Sequence, residues 1–115
     1  MARVVALAPD LFFASKIEAT LSAAGHEVEI ASTPDEAIAA GAKAGVVVAD
    51  LHTERFDPAR FARLLPGKRL LGFYSHVEVD TRKSAEAAGY DLVVPRSRMS
   101  REMPELVARL VGSGG

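Results

Sequence analysis

Five short apolar runs alternate with five segments of helical periodicity, and this rhythm constrains the fold more than any other feature of the chain. The runs are Val4-Val5-Ala6-Leu7, Glu27-Val28-Glu29-Ile30, Val46-Val47-Val48-Ala49, Leu70-Leu71-Gly72-Phe73-Tyr74 and Leu92-Val93-Val94-Pro95. Each is too short for a core helix and is bounded by turn residues, so each reads as a strand. Strands that alternate with helices are joined by crossovers and lie parallel, with helices over both faces of the sheet. The Glu27 to Ile30 run alternates polar and apolar, which places it at an edge with one wet face. The Val46 to Ala49 run is apolar throughout, as a central strand buried on both faces would be, and it delivers Asp50 where the strand emerges.

The helical segments carry their own start and stop signals. In the first, Leu11 to Ala24, residues Phe13, Ile17, Leu21 and Ala24 recur at three- and four-residue spacing, and Gly25 ends it. Phe12 and Phe13 are adjacent, so one enters the core and the other is left partly exposed as a contact point or packs under a loop. Thr33-Pro34-Asp35-Glu36 has the layout of a capping box with a first-turn proline. Asp57-Pro58 opens a short helix with Phe61, Leu64 and Leu65 inward, and Pro66-Gly67 closes it. Asp80 is placed to cap a fourth helix that ends at Gly89. In the last helix Leu106, Val107, Leu110 and Val111 form one stripe, with Pro104 in the first turn, where a missing N–H does least harm.

Composition removes several classes of function. At 115 residues the chain is long enough for one domain with its own core, assigned to residues 1–111, followed by a Gly/Ser tail at 112–115. A net charge of −1 gives no basic excess for nucleic acid. Cysteine is absent, which excludes disulfides, thiolate catalysis and cysteine-ligated metals. No run approaches the ~20 apolar residues needed to span a bilayer, and the N-terminus has no signal-peptide layout, so a cytoplasmic protein without membrane contact is expected.

In a doubly wound sheet the carboxyl ends of the strands converge on one crevice. This chain brings there Ala8-Pro9-Asp10, then Asp50 and His52, then Ser75 and His76, then Arg96. The strand-helix order, the Asp ending the third strand, the hydroxyl residue ending the fourth and the Ala-Gly before the fifth together resemble the response-regulator receiver domain (CheY-like), over essentially the whole chain. The resemblance implies a phosphoacceptor role for Asp50 and a phosphate-switch role for Ser75. It also implies two acids after the first strand to hold Mg2+ and a Lys after the fifth to contact the phosphoryl group. Alignment through Ala23-Ala24-Gly25-His26 puts Ala8 and Pro9 on the acid pair, with Asp10 one place later. The basic position falls on Arg96 or on Val94, depending on the alignment, and the switching aromatic falls on Val93 or Asp91.

Mg2+ wants oxygen ligands and releases water reluctantly, so Ala8 and Pro9 are poor replacements for two acids. Asp50 is therefore either a phosphoacceptor or a strand-end acid bonded to loop amides. Arg96, Arg98 and Arg101 precede the final helix as solvated loop charge or as an anion or docking patch. No metal site is expected, because His52 and His76 lack a ligating partner at a recognisable spacing. Flavin or dinucleotide binding lacks its Gly- or hydroxyl-rich first turn, and no Gly-x-Ser-x-Gly nucleophile turn is present.

The expected fold is a flavodoxin-like (βα)5 three-layer sandwich with strand order 2-1-3-4-5. The expected function is a non-enzymatic, atypical receiver-like signalling module without a cofactor. By resemblance its docking face includes Asp80, Arg82, Lys83, Arg96 and Arg101, and its partner is a signalling protein or histidine kinase, with a homodimer open. Two alternatives stand beside it. One is a true phosphoreceiver in a two-component relay, using Mg2+, with Asp10 and Arg96 compensating. The other is a small-ligand sensor or an enzyme that uses the crevice formed by Asp10, Asp50, His52, Ser75, His76 and Arg96.

Overall fold

The computed structural model describes residues 2–75 and 79–113. The elements run β1 (Arg3–Leu7), α1 (Leu11–Ala23), β2 (Glu27–Ala31), α2 (Pro34–Gly41), β3 (Val46–Asp50), α3 (Pro58–Arg63), β4 (Arg69–Tyr74), α4 (Val79–Ala87), β5 (Leu92–Pro95) and α5 (Arg96–Ser113). The strands form one parallel sheet in the order β2-β1-β3-β4-β5, the flavodoxin-like topology expected from the sequence. β2 is an edge strand and its exposed Glu27 and Glu29 alternate with better-covered Val28 and Ile30, as its polar alternation requires.

Strand alternation divides the core into two halves. Val4, Ala6, Val46, Val48, Leu71 and Phe73 face α1 and α5, where Phe13, Ile17, Leu21, Met99, Met103 and Leu106 meet them. Val5, Leu7, Val47, Ala49 and Leu70 face the other helices, where Ala37, Phe61, Leu65 and Ala85 meet them.

The local signals were mostly sound. Thr33 and Glu36 form the capping box of α2, with Pro34 in its first turn. Asp57 caps α3 and Asp10 caps α1. Gly25, Gly67 and Gly89 all take positive φ where the helical segments end, a conformation that favours glycine.

Four details differ from the sequence reading. Leu64 is 45% exposed, because it is the C-cap of a helix of only six residues, in which Phe61 alone is fully buried. Ala24 is exposed as the C-cap of α1. Asp80 lies in the first turn of α4 instead of capping it, where its charge still favours the positive end of the helix. The last helix begins at Arg96 and not beside Pro104, so Arg98 and Arg101 are helical residues and not loop. α5 bends at Glu102 (φ −119, ψ 18), and Pro104 then sits near the start of the segment beyond the bend. That segment continues through Gly112 to Ser113, past Val111.

Candidate functional site

Asp50 ends β3 in a row of residues that share one face. Its register partner on β4 is Phe73, whose partner on β5 is Val94. On the other side, β1 pairs with β3 as far as Leu7 and Ala49, so Ala8 is the residue that follows alongside Asp50. Ala8, Phe73 and Val94 all belong to the core half under α1 and α5, the face to which alternation also turns Asp50. The flanking positions are therefore a methyl group, a phenyl ring and a branched apolar chain. Register puts Val94, not Arg96, in line with Asp50.

The carboxylate of Asp50 finds its partner in the loop that follows. Oδ1 accepts the backbone N–H of His52 at 2.9 Å, and the Asp50 carbonyl accepts the hydroxyl of Thr53 at 2.7 Å. Thr53 is buried, so this turn is pinned from beneath. The imidazole Nε2 of His52 accepts the backbone N–H of Ser75 at 2.8 Å, which ties the loop after β3 to the loop after β4. Asp50, His52 and Ser75 are thus brought together. Asp50 has no ion pair among the described residues, and His76 lies outside them.

Asp10 and Arg96 form a separate clasp. Oδ1 of Asp10 accepts the N–H groups of Phe12 and Phe13 at 3.0 and 3.4 Å, and Oδ2 accepts Nη2 of Arg96 at 2.7 Å. The Arg96 bond and then the Phe13 amide hold the Asp10 carboxyl below the usual carboxylate range. The guanidinium also lies over the Phe13 ring, 4.3 Å from its centroid, and Phe13 in turn packs against Phe73 at 5.0 Å. A continuous chain of contacts therefore runs from the sheet to solvent: Phe73, Phe13, Arg96, Asp10. Arg96 is tied to α1 by its contacts with Asp10 and Phe13. Arg82 makes an ion pair with Glu86 at 3.7 Å, and Arg101 pairs with Glu102 at 3.7 Å. Among the described residues no three His, Asp or Glu side chains gather into a metal-holding group.

Two cavities flank the strand ends, and Asp50 lines neither. One, of about 540 Å³, lies between the start of α2 and the loop after β3, with Thr33, Thr53 and Arg55 in its wall. The other, of about 580 Å³, opens between α1 and the first turns of α5. Phe12, Phe13, Tyr74 and Pro95 give it an apolar lining, and Lys16, Arg96 and three serines give it polar groups. Lys16, Tyr74, Ser97 and Ser100 were not picked out from the sequence. The one signal toward them was the Phe12-Phe13 pair, of which Phe13 is core and Phe12 is 92% exposed.

Neither a protein-family model nor a curated protein matches the sequence. Solved structures do match. A CheY-like response regulator receiver domain protein from Methanospirillum hungatei JF-1 superimposes with a TM-score of 0.87 at 18% identity, covering 99% of this chain and 96% of that one. A response regulator protein from Burkholderia pseudomallei, with a phosphorylated aspartic acid, calcium ion and citrate, gives 0.72 at 20% identity, covering 95% and 72%. NtrX from Brucella abortus, in complex with ADP, gives 0.85 at 18% identity over 98% of this chain, which spans only 27% of that larger protein. The order of strands, the two-sided helical cover and these superpositions together give this chain the fold of the response-regulator receiver domains.

Proposed function

We propose that this chain is a receiver-like signalling module that acts through protein contacts and does not depend on Mg2+-assisted phosphorylation of Asp50. The observation that carries this reading is the state of the acidic positions after β1. Ala8 is buried, and its N–H donates to the carbonyl of Ala31 at 3.0 Å, so it continues the ladder and offers no oxygen side chain toward Asp50. Pro9 has neither a donor nor a ligating side chain. Asp10 has both carboxylate oxygens engaged, one by helix amides and one by Arg96. Phosphoryl transfer needs its developing charge neutralised, and Mg2+ needs a near-octahedral oxygen shell; these residues do not fit that ion. As the chain folds, Asp10 is held by two amides and a cation, and Arg96 by Asp10 and the Phe13 ring.

Titration with beryllofluoride and Mg2+, followed by amide resonances in two-dimensional NMR, tests the proposal. The expected result is no saturable, Mg2+-dependent shift of the His52 and Ser75 amides. A saturable shift that needs Mg2+ and disappears in Asp50→Asn defeats it and supports the phosphoreceiver alternative.

A further inference from the structure

We infer that the groove between α1 and α5 is a binding site for a small aromatic carboxylate. This goes beyond the reading above and does not depend on it, because the groove is formed by other residues than Asp50. Its volume, about 580 Å³, is of the size that takes a small organic ligand, and its lining is mostly apolar with a few convergent polar groups.

The two parts of such a ligand have distinct places. Phe12, with 92% of its surface exposed, stands at the rim. An exposed phenyl ring at the edge of the groove offers a face on which a planar apolar body can stack, removing surface from water that the fold alone leaves wet. Lys16 and Arg96 provide the charge. Asp10 engages one terminal nitrogen of Arg96, and a guanidinium carries five N–H donors in a rigid fork, so the same side chain can hold a second carboxylate. Lys16 Nζ is bonded to the hydroxyl of Ser100, which holds the ammonium against the first turns of α5. Two cations against one carboxylate leave a single positive charge, which matches a monoanion better than a dianion. Ser75 and Ser97 complete the polar lining as hydroxyl groups that donate or accept.

The site also has a route to the rest of the strand ends. Arg96 lies over Phe13, Phe13 meets Phe73 in a tilted contact, and Phe73 is the register neighbour of Asp50, while Ser75 is bonded to His52. A carboxylate bound to the remaining donors of Arg96 would act on that chain of contacts directly.

The test is a titration of the intact chain with 2-naphthoate, indole-3-acetate and benzoate, read by amide shifts, with 2-naphthamide and acetate as controls. The expected result is saturable shifts centred on Phe12, Phe13, Ser97 and Ser100 with at least one of the three aromatic carboxylates. The neutral amide, which lacks the charge, and acetate, which lacks the ring, should bind at least about tenfold more weakly, the equivalent of one charge-assisted hydrogen bond. Lys16→Met and Phe12→Ala should each weaken the best binder; both side chains are exposed in the groove and take no part in the Asp10–Arg96 clasp. Arg96→Gln should abolish binding, and Arg96→Lys should restore part of it. The proposal is overturned if none of the three carboxylates binds saturably, if the amide binds as well as the acid, if the shifts centre elsewhere, or if Lys16→Met and Phe12→Ala leave affinity unchanged.

Discussion

Phe12 and Phe13 show how sharply one position separates two roles. Phe13 is enclosed between Phe73 and Arg96, whereas Phe12 is open to solvent. Phe13→Ala should destabilise the protein by about 3–5 kcal/mol and Phe12→Ser by less than about 0.5 kcal/mol, measured by urea unfolding. The sequence already required that the two rings diverge, because neighbours on a helix cannot share a face. Asp10 caps α1 by accepting the amides of Phe12 and Phe13, a local interaction. Its bond to Arg96 was not legible, since Arg96 lies 86 residues away and only the sheet order brings them together. That clasp has a pH signature. The native carboxyl is held below its ordinary value, so the unfolded state binds the proton more readily and the stabilisation is present above the unfolded pKa of about 3.9 and lost as pH falls through the lower native value. Asp10→Asn keeps a good cap but removes the charge. It should unfold at a lower temperature than the parent at neutral pH, with the gap closing in acid.

At the level of elements, the approach of Leu51 to Gly72 sets how the loop after β3 leaves the sheet. A Cβ at Gly72 would meet three carbons of the Leu51 side chain at 3.0 to 3.2 Å. Leu51 is buried there, and its N–H donates to the carbonyl of Phe73, so it cannot easily retreat. Gly72→Ala should therefore cost about 1–3 kcal/mol in thermal or chemical unfolding and shift the His52 and Thr53 amides, the residues that hold Asp50. A neutral effect on both would show that Leu51 relaxes freely. Elements with local signals, such as the α2 capping box and the glycine stops, were readable from sequence. α5 was readable only in part. Its first segment, Arg96 to Arg101, is charged and short, and it is fixed by Met99 entering the core, which no local pattern announces. Pro104 cannot donate to the carbonyl four residues back and crowds it, which accounts for the break at Glu102 and leaves Pro104 in the first turn of the segment beyond it.

For the molecule as a whole, the strand-helix rhythm gave a parallel sheet covered by helices, and the resemblance to receiver domains supplied its strand order. The candidate site was less legible, since its character depends on which side chains share a row across strands, and one residue of register exchanges Val94 for its neighbours. The same topology predicts where the protein is most resistant to opening. Amides of Val4–Leu7, Val46–Ala49 and Leu70–Phe73, in the three strands that have a neighbour on each side, should exchange with solvent only through global unfolding, whereas those of β2 should exchange by smaller openings. Hydrogen-exchange mass spectrometry reads this directly; equal protection of β2 would show that the sheet opens as one unit. The groove between α1 and α5 draws its wall from residues 12–16, 74–75 and 95–100. Its shape is consequently a property of the finished chain: a nascent polypeptide with only the first three strands carries the α1 wall but not the facing one, and any partner or ligand that reads this surface can distinguish a completed domain from one still being made.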